Sequence, residues 1–411
     1  MKLFNKFNTK LKSTAGQGKK GGSVPLVALI DSAGREVNAS GFGDLLVGQK
    51  IDDVSVTFQY VLSSRQVDTT LTGTGAASID ASRLKMEAPA NGDTAKVSTR
   101  KAIHYRGGHD AEVYFTAAFT EITDGGRQWV GPCDGTDGYA VEYHEGDLHV
   151  LRYNGGVLED HIDSAGFNID RLDGNGRSGF TLNPASMSIY RIQWGYLGKL
   201  PAVFEVFGGH AYGWIPFHVI DKSNSGTGLV INNPHLPVTA YVESAGEAIT
   251  LLSGSWAGGT VGGAIMDSDL RHFAYGNTKT ISTLASVFTL RSPTTYQSKT
   301  NRVPAYITFF SAAGDGNKPV TIEIYRDATL GGPPNFQPIS ANNSVLEVDT
   351  AGTTVSGGSL EGGLAFDKVG SDSFTLDIGS LDLLPGESLT FAAKSASTND
   401  VTVFARWGEL F

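Results

Sequence analysis

The stretch Asp173–Gly198, DGNGRSGFTLNPASMSIYRIQWGYLG, opens with oxygen donors at alternate positions. Asp173, Asn175 and the carbonyls of Gly174 and Gly176 are hard ligands of the kind Ca²⁺ prefers. A helix–loop–helix calcium loop also needs a third acidic or amide ligand and a bidentate glutamate that closes the site. Arg177 occupies that third position, and Phe180 followed by Thr181 stands where the closing carboxylate belongs. A phosphate cradle would need the glycines to open a helix, so that amide N–H groups converge on the anion. The segment that follows, SIYRIQWGYL, alternates and is rich in β-branched and aromatic residues, which is the pattern of a strand. The loop therefore reads as a turn. Loops between strands can hold a structural Ca²⁺ without any motif, but these residues assign neither metal nor cofactor.

Other candidate chemistry is equally thin. Glycosidases need an acid and a base or nucleophile flanking one bond. Glu142 and Glu145 are three apart, which puts them on opposite faces of a strand. The chain lacks a G-x-S-x-G elbow, and GQGKKGGS lacks the glycine–lysine pair of a phosphate loop. His104, His109, His144 and His149 fall near strands with no metal-ligand spacing, so they read as surface or satisfied core residues. No catalytic residue is assigned and the chain is not expected to be an enzyme. One aromatic set stands out: Trp194 and Tyr196, two apart on one strand face, and Trp214 farther on. Such rings either lay a platform against a pyranose or fill a core or an interface.

The elements that must position these residues are strands. The chain has 411 residues with 52 glycines, and 40% of it is hydrophobic, a combination that suits a turn-rich all-β protein. VSVTFQYVL places Val54, Val56, Phe58, Tyr60 and Leu62 on one face, and AEVYFTAAF does the same with Val113, Phe115, Ala117 and Phe119. Alternating segments follow at 148–153, 188–197, 202–207, 214–220, 238–244 and 248–252. NGDT, DGGR, DGTDG and YNGG punctuate the chain as turns. The glycine-rich passage at 253–267, SGSWAGGTVGGAIMD, marks a linker, after which strands resume at 283–292, 303–313, 319–328, 344–350, 373–379, 388–395 and 400–407. We expect two antiparallel β-sandwich domains of the jelly-roll or lectin-like kind. The larger spans 23–252 and the smaller 268–411, with SVPLVALI, Ser23–Ile30, as a first strand.

Residues 1–22 form a basic arm. They hold six lysines and no acid, which leaves 26 basic residues against 42 acidic ones in the rest of the chain. On a helical projection Leu3, Phe4, Phe7 and Leu11 fall on one side, opposite Lys2, Lys6, Lys10 and Lys12. Eleven residues are too few for a stable free helix. The arm reads as a disordered terminus, as an assembly segment ordered by a neighbouring subunit, or as a membrane-surface helix, the last disfavoured beside an acidic body. That acidic body also argues against nucleic acid as a partner. The single cysteine, Cys133, allows no internal disulfide and suits assembly in a reducing cytoplasm. No run has the length of a membrane span.

Over roughly residues 40–411 the order of short motifs resembles tailed-bacteriophage virion structural proteins. The carriers are TGTGAA at 72–77, STRKAIHYRGG at 98–108 and YFTAAFT at 114–120, then DGTDGYAVEY and NPHLPVTAYVES. TNRVPAYITFF, KPVTIEIYRDATLGG, VDTAGTT and LLPGESLTFAA follow in the second half. Thr99, between Ser98 and Arg100, departs slightly from the pattern. The resemblance implies a non-enzymatic component of the particle that decorates or bridges capsid or tail. Its implied partners are other virion proteins and copies of itself, assembled in the host cytoplasm. The alternative is a tail-fibre receptor-binding protein that grips host surface glycans.

Overall fold

A computed structural model describes residues 12–14, 26–28, 50–261, 266–367 and 370–411. Among them the only helical turns are two 3₁₀ turns, Ser164–Gly166 and Asp267–Asp269. The chain divides into two compact units, Met1–Ala264 and Ile265–Phe411.

The first unit is an antiparallel sandwich. One sheet has seven strands in the order Val157–Asp163, Asp147–Asn154, Gly138–His144, Arg127–Pro132, Val238–Glu243, Thr94–Thr99 and Val67–Thr72. Another has six: Trp214–Ile220, Ala202–Phe207, Ser188–Trp194, Ala111–Ala117, Ser255–Val261 and Lys50–Thr57. A three-stranded sheet, Ile249–Ser253, Arg83–Ala88 and Ala76–Asp80, completes the unit. Alternate residues of all three meet in one core, including Val97, Val130, Val141 and Val150 from the larger sheet, Phe115, Tyr190, Trp194 and Phe204 from the six-stranded one, and Met86 and Leu251 from the smallest. Burying such side chains contributes about 1.5–3 kcal/mol each, and period-two alternation decides which residues go inside.

The second unit is also all-β. Strands Arg271–Ile281, Asn399–Glu409, Ala305–Gly314 and Gly370–Thr375 form one sheet, with Asp382–Leu383 attached to the third. The other runs Gln337–Pro338, Glu347–Asp349, Ala285–Arg291, Ser388–Ser395, Val320–Arg326 and Ser359–Phe366. Their shared core contains Phe288, Phe310, Ile322, Phe391, Val403 and Trp407.

Several expectations are corrected. The passage 253–267 is largely a strand and not a linker: Ser255–Val261 lies between Lys50–Thr57 and Ala111–Ala117. Its glycines are needed for close approach, since a Cβ on Gly258 would sit 2.5 Å from Ile103 Cδ1 and 2.9 Å from the Glu112 carbonyl oxygen. The strand through Val54 and Val56 ends at Thr57, so Phe58 is buried while Tyr60 is 84% exposed. Arg271–Ile281 is an eleven-residue strand where none was expected. Within the expected arm, Lys12 opens a short strand, Lys12–Thr14, paired with Leu26–Ala28 inside the expected first strand. Lys12 therefore does not continue a helical stripe. Lys2, Leu3, Phe4, Lys6, Phe7, Lys10 and Leu11 lie outside the described residues.

Candidate functional site

The ionisable side chains of greatest interest lie on the outward face of the seven-stranded sheet. Two tight hairpins put them there. Glu145 and Gly146, with φ of 49° and 81°, turn Gly138–His144 into Asp147–Asn154. Gly155 and Gly156, with φ of 60° and 86°, turn that strand into Val157–Asp163. Two consecutive positive-φ residues form the hairpin turn whose twist matches the strands. The first turn sets Glu142 opposite His149, and a bulge between Arg152 and Tyr153 brings Leu151 opposite His161. On the other side, Glu142 pairs with Trp129, and His144 with Arg127.

Glu142 is fully buried there. Arg127 donates from Nε to its Oε1 at 2.6 Å, and His161 Nε2 lies 2.9 Å from its Oε2. Burial alone would raise this carboxyl, but His161 and Arg127 outweigh it and hold the group below the usual range. Arg127 also donates to the Tyr153 hydroxyl at 3.1 Å, and Trp129 packs on Tyr241 with ring centroids 5.5 Å apart. Three imidazoles complete the face: His149 and His161 are 4.5 Å apart between centroids, His144 and His161 5.4 Å, and His144 and His149 5.7 Å. Among the described residues no group of His, Cys, Asp or Glu has the geometry to hold a metal ion.

The outward face of the six-stranded sheet carries a second charged pair. Arg191 donates from Nε to Glu205, and both are nearly buried although they point away from the core. The guanidinium is covered by Trp214, 4.7 Å from the ring centroid, and by Tyr114 at 5.9 Å. Phe207 packs beside Trp214 with tilted rings, 5.4 Å between centroids, and is 37% exposed, while Ile189, two residues before Arg191, is 40% exposed.

The aromatic trio is thus divided. Trp194 is 1% exposed, packs near Tyr139 in the core and cannot be a platform. Tyr196 lies beyond the end of its strand, half-buried, with its hydroxyl donating to the Ile231 carbonyl at 3.1 Å. Trp214 is half-buried, with its ring against Tyr114 and Arg191 on the outward face of the six-stranded sheet. The glycine loop at 173–181 behaves as a turn: Asp173 accepts from the Asn175 amide, and Asp170 accepts from the amides of Leu172 and Ser178. His104 stacks on His235 at 4.2 Å, and His109 contacts the Val261 carbonyl, both in structural roles. His161, which completes the imidazole cluster, was missed because a bulge between Arg152 and Tyr153 shifts the register; counting back from the two-residue turn alone would set it opposite Val150 on the core face.

No family model and no curated protein matches the chain. Solved structures similar to part of it include a legume lectin-like domain from Entamoeba histolytica, 13% identical with a TM-score of 0.33 over 51% of this chain and 98% of that one. The exoplasmic/lumenal domain of VIP36, bound to Ca²⁺ and Man3GlcNAc, is 12% identical with a TM-score of 0.35 over 53% and 92%. A structure described with endo-acting O-glycanases of the human gut microbiota is 10% identical with a TM-score of 0.35 over 52% and 100%.

Proposed function

We propose that the protein is a non-catalytic structural component of a tailed-phage virion, which works through its β surfaces and not through an active site. The observation that carries the non-catalytic part is the fate of two buried carboxylates, one on each outward sheet face. Glu142 is held by Arg127 and His161, and Glu205 by Arg191. A glycosidase acid or base must instead face its substrate with a partner carboxylate across the cleft. The ordered motifs over roughly residues 40–411 support the virion assignment. Neighbouring copies and other particle proteins are the partners this reading requires.

A second reading, binding of a host surface glycan, draws on the outward patch of Trp214, Phe207 and Ile189. Aromatic rings that expose one face suit the apolar side of a sugar ring. The two readings part in one experiment on the purified chain, which combines a glycan array with an assay for reducing ends released from host polysaccharide. The structural reading expects neither selective binding nor release. Selective binding that Trp214→Ala abolishes without unfolding the chain would favour the glycan reading. Release of reducing ends, lost on replacement of a single Asp or Glu, would overturn the non-catalytic assignment.

A further inference from the structure

We propose that the outward face of the seven-stranded sheet carries an acid-responsive latch, in which protonation of His149 between His144 and His161 loosens the edge strand Val157–Asp163. The strand is suited to local opening. It pairs with Asp147–Asn154 on one side only, and none of its residues is fully buried. Its other ties are the ion pairs of Arg152 with Glu159 and Asp160 at 2.6 and 2.5 Å, of Lys222 with Asp160 at 2.8 Å and of His161 with Glu142 at 2.9 Å, and the packing of Leu158 and Ile162 at the margins of two apolar clusters. An edge strand with one ladder and few fully buried side chains opens before the central strands do.

The three imidazoles come from three adjacent strands, so charge on them acts across the ladder that holds the edge. His161 Nε2 faces the Glu142 carboxylate at 2.9 Å. Among the described residues His149 has no such ion-pair partner, and Glu142 and Asp147 act on it only from farther off. Its Nδ1 is 3.2 Å from the Asp147 carbonyl, which accepts the one N–H of the neutral ring, and the residue is only 9% exposed. A second proton on that ring would enter a site with little water and imidazoles on two sides. Burial first, and the charge of His161 second, hold His149 below its ordinary value.

The other charged groups around it are Asp147 on its own strand, Glu142 and His144 on Gly138–His144, and Glu145 in the turn. Arg127 lies beyond Glu142, and Asp163 stands opposite His149 on the edge strand. Asp147 is occupied by Ser164, whose hydroxyl donates to it at 2.9 Å. Glu142 is held between Arg127 and His161. The sign follows from proton counting: the closed edge binds fewer protons at His149 than the opened edge does, so a fall in pH through about 6.5 favours opening.

Hydrogen exchange on the full chain, read by mass spectrometry at pH 7.5 and 5.5 and corrected for intrinsic rates, tests the latch. Amides of Val157–Asp163 should exchange faster at pH 5.5, by up to about tenfold, the ceiling for one histidine one unit below its free value. Those of the central strand Ser188–Trp194 should change only as global stability does. His149→Gln and His149→Asn, which keep a donor for the Asp147 carbonyl but cannot charge, should each remove the pH response of the edge. Equal protection at both pH values would overturn the latch. So would a response of the edge that survives in both variants.

Discussion

At the scale of single residues, buried position decides what each aromatic or charged group can do. Trp194→Ala should destabilise the chain by about 3–5 kcal/mol, the range for emptying a buried Trp site, with no separate effect on any ligand. Because its indole N–H is buried without an acceptor among the described residues, Trp194→Phe should cost much less. Both values can be read from denaturant unfolding. Arg191 and Glu205 form a nearly buried pair, so Glu205→Gln alone should cost about 3–5 kcal/mol by leaving a guanidinium unpaired. Replacing both by apolar residues should cost less than that single change. A double-mutant cycle measures the difference, and a cycle showing simple additivity would contradict the pairing. Cys133 lies in a small apolar cluster with Trp129, Ala140 and Leu151, and burial pushes its thiol up to about 12. It should resist iodoacetamide at pH 8 in the native chain and react on unfolding.

Among the elements, the glycine-rich strand Ser255–Val261 is the sharpest departure from a reading of sequence alone. A linker would be cut readily and would tolerate side chains, whereas a central strand resists both. Gly258→Val should destabilise by about 1–3 kcal/mol through overpacking against Ile103 and the Glu112 carbonyl. Elastase should leave 255–261 intact in the native chain; rapid cleavage there would restore the linker. Strands with strict alternation were legible: 388–395 matches its observed limits, and 202–207 and 214–220 do likewise. Arg271–Ile281 was not, because its sequence RHFAYGNTKTI mixes polar, small and aromatic residues on an edge that needs no apolar stripe. Alternation also places Trp194 and Tyr196 on one face, but it cannot say whether that face points inward or that the strand stops at Trp194. The His144, His149 and His161 cluster depends on register across two hairpins, which local patterns do not encode.

For the molecule as a whole, the buried histidines set a direction for acid stability. Burial lowers His235 to about 4 and lowers His218; His149 moves the same way. The unfolded chain binds protons at these sites below pH 6.5 while the folded chain does not, so stability falls as pH drops from about 6.5 toward 4. Glu142, Asp160 and Asp170, held down against burial by their hydrogen-bond partners, add stability that is lost at still lower pH. Asp53 opposes them: raised to about 6 by burial, it favours the folded chain below its unfolded value and loses that contribution as pH rises through 6. Asp137 and Glu409, also raised by burial, act with Asp53, so the histidine contribution is isolated by substitution. His235→Asn, which can still accept the Tyr105 amide, should raise the melting temperature at pH 4.5 relative to that at pH 6.5 when compared with the unsubstituted chain. An equal shift at both pH values would contradict the assignment. The central claim, the proposed structural place in a virion, is tested most directly by a cryo-EM map of particles from the organism that encodes this chain. The account expects density for both β units at repeated, symmetry-related positions on capsid or tail, in contact with neighbouring particle proteins. A well-resolved particle with no density for the chain would contradict it.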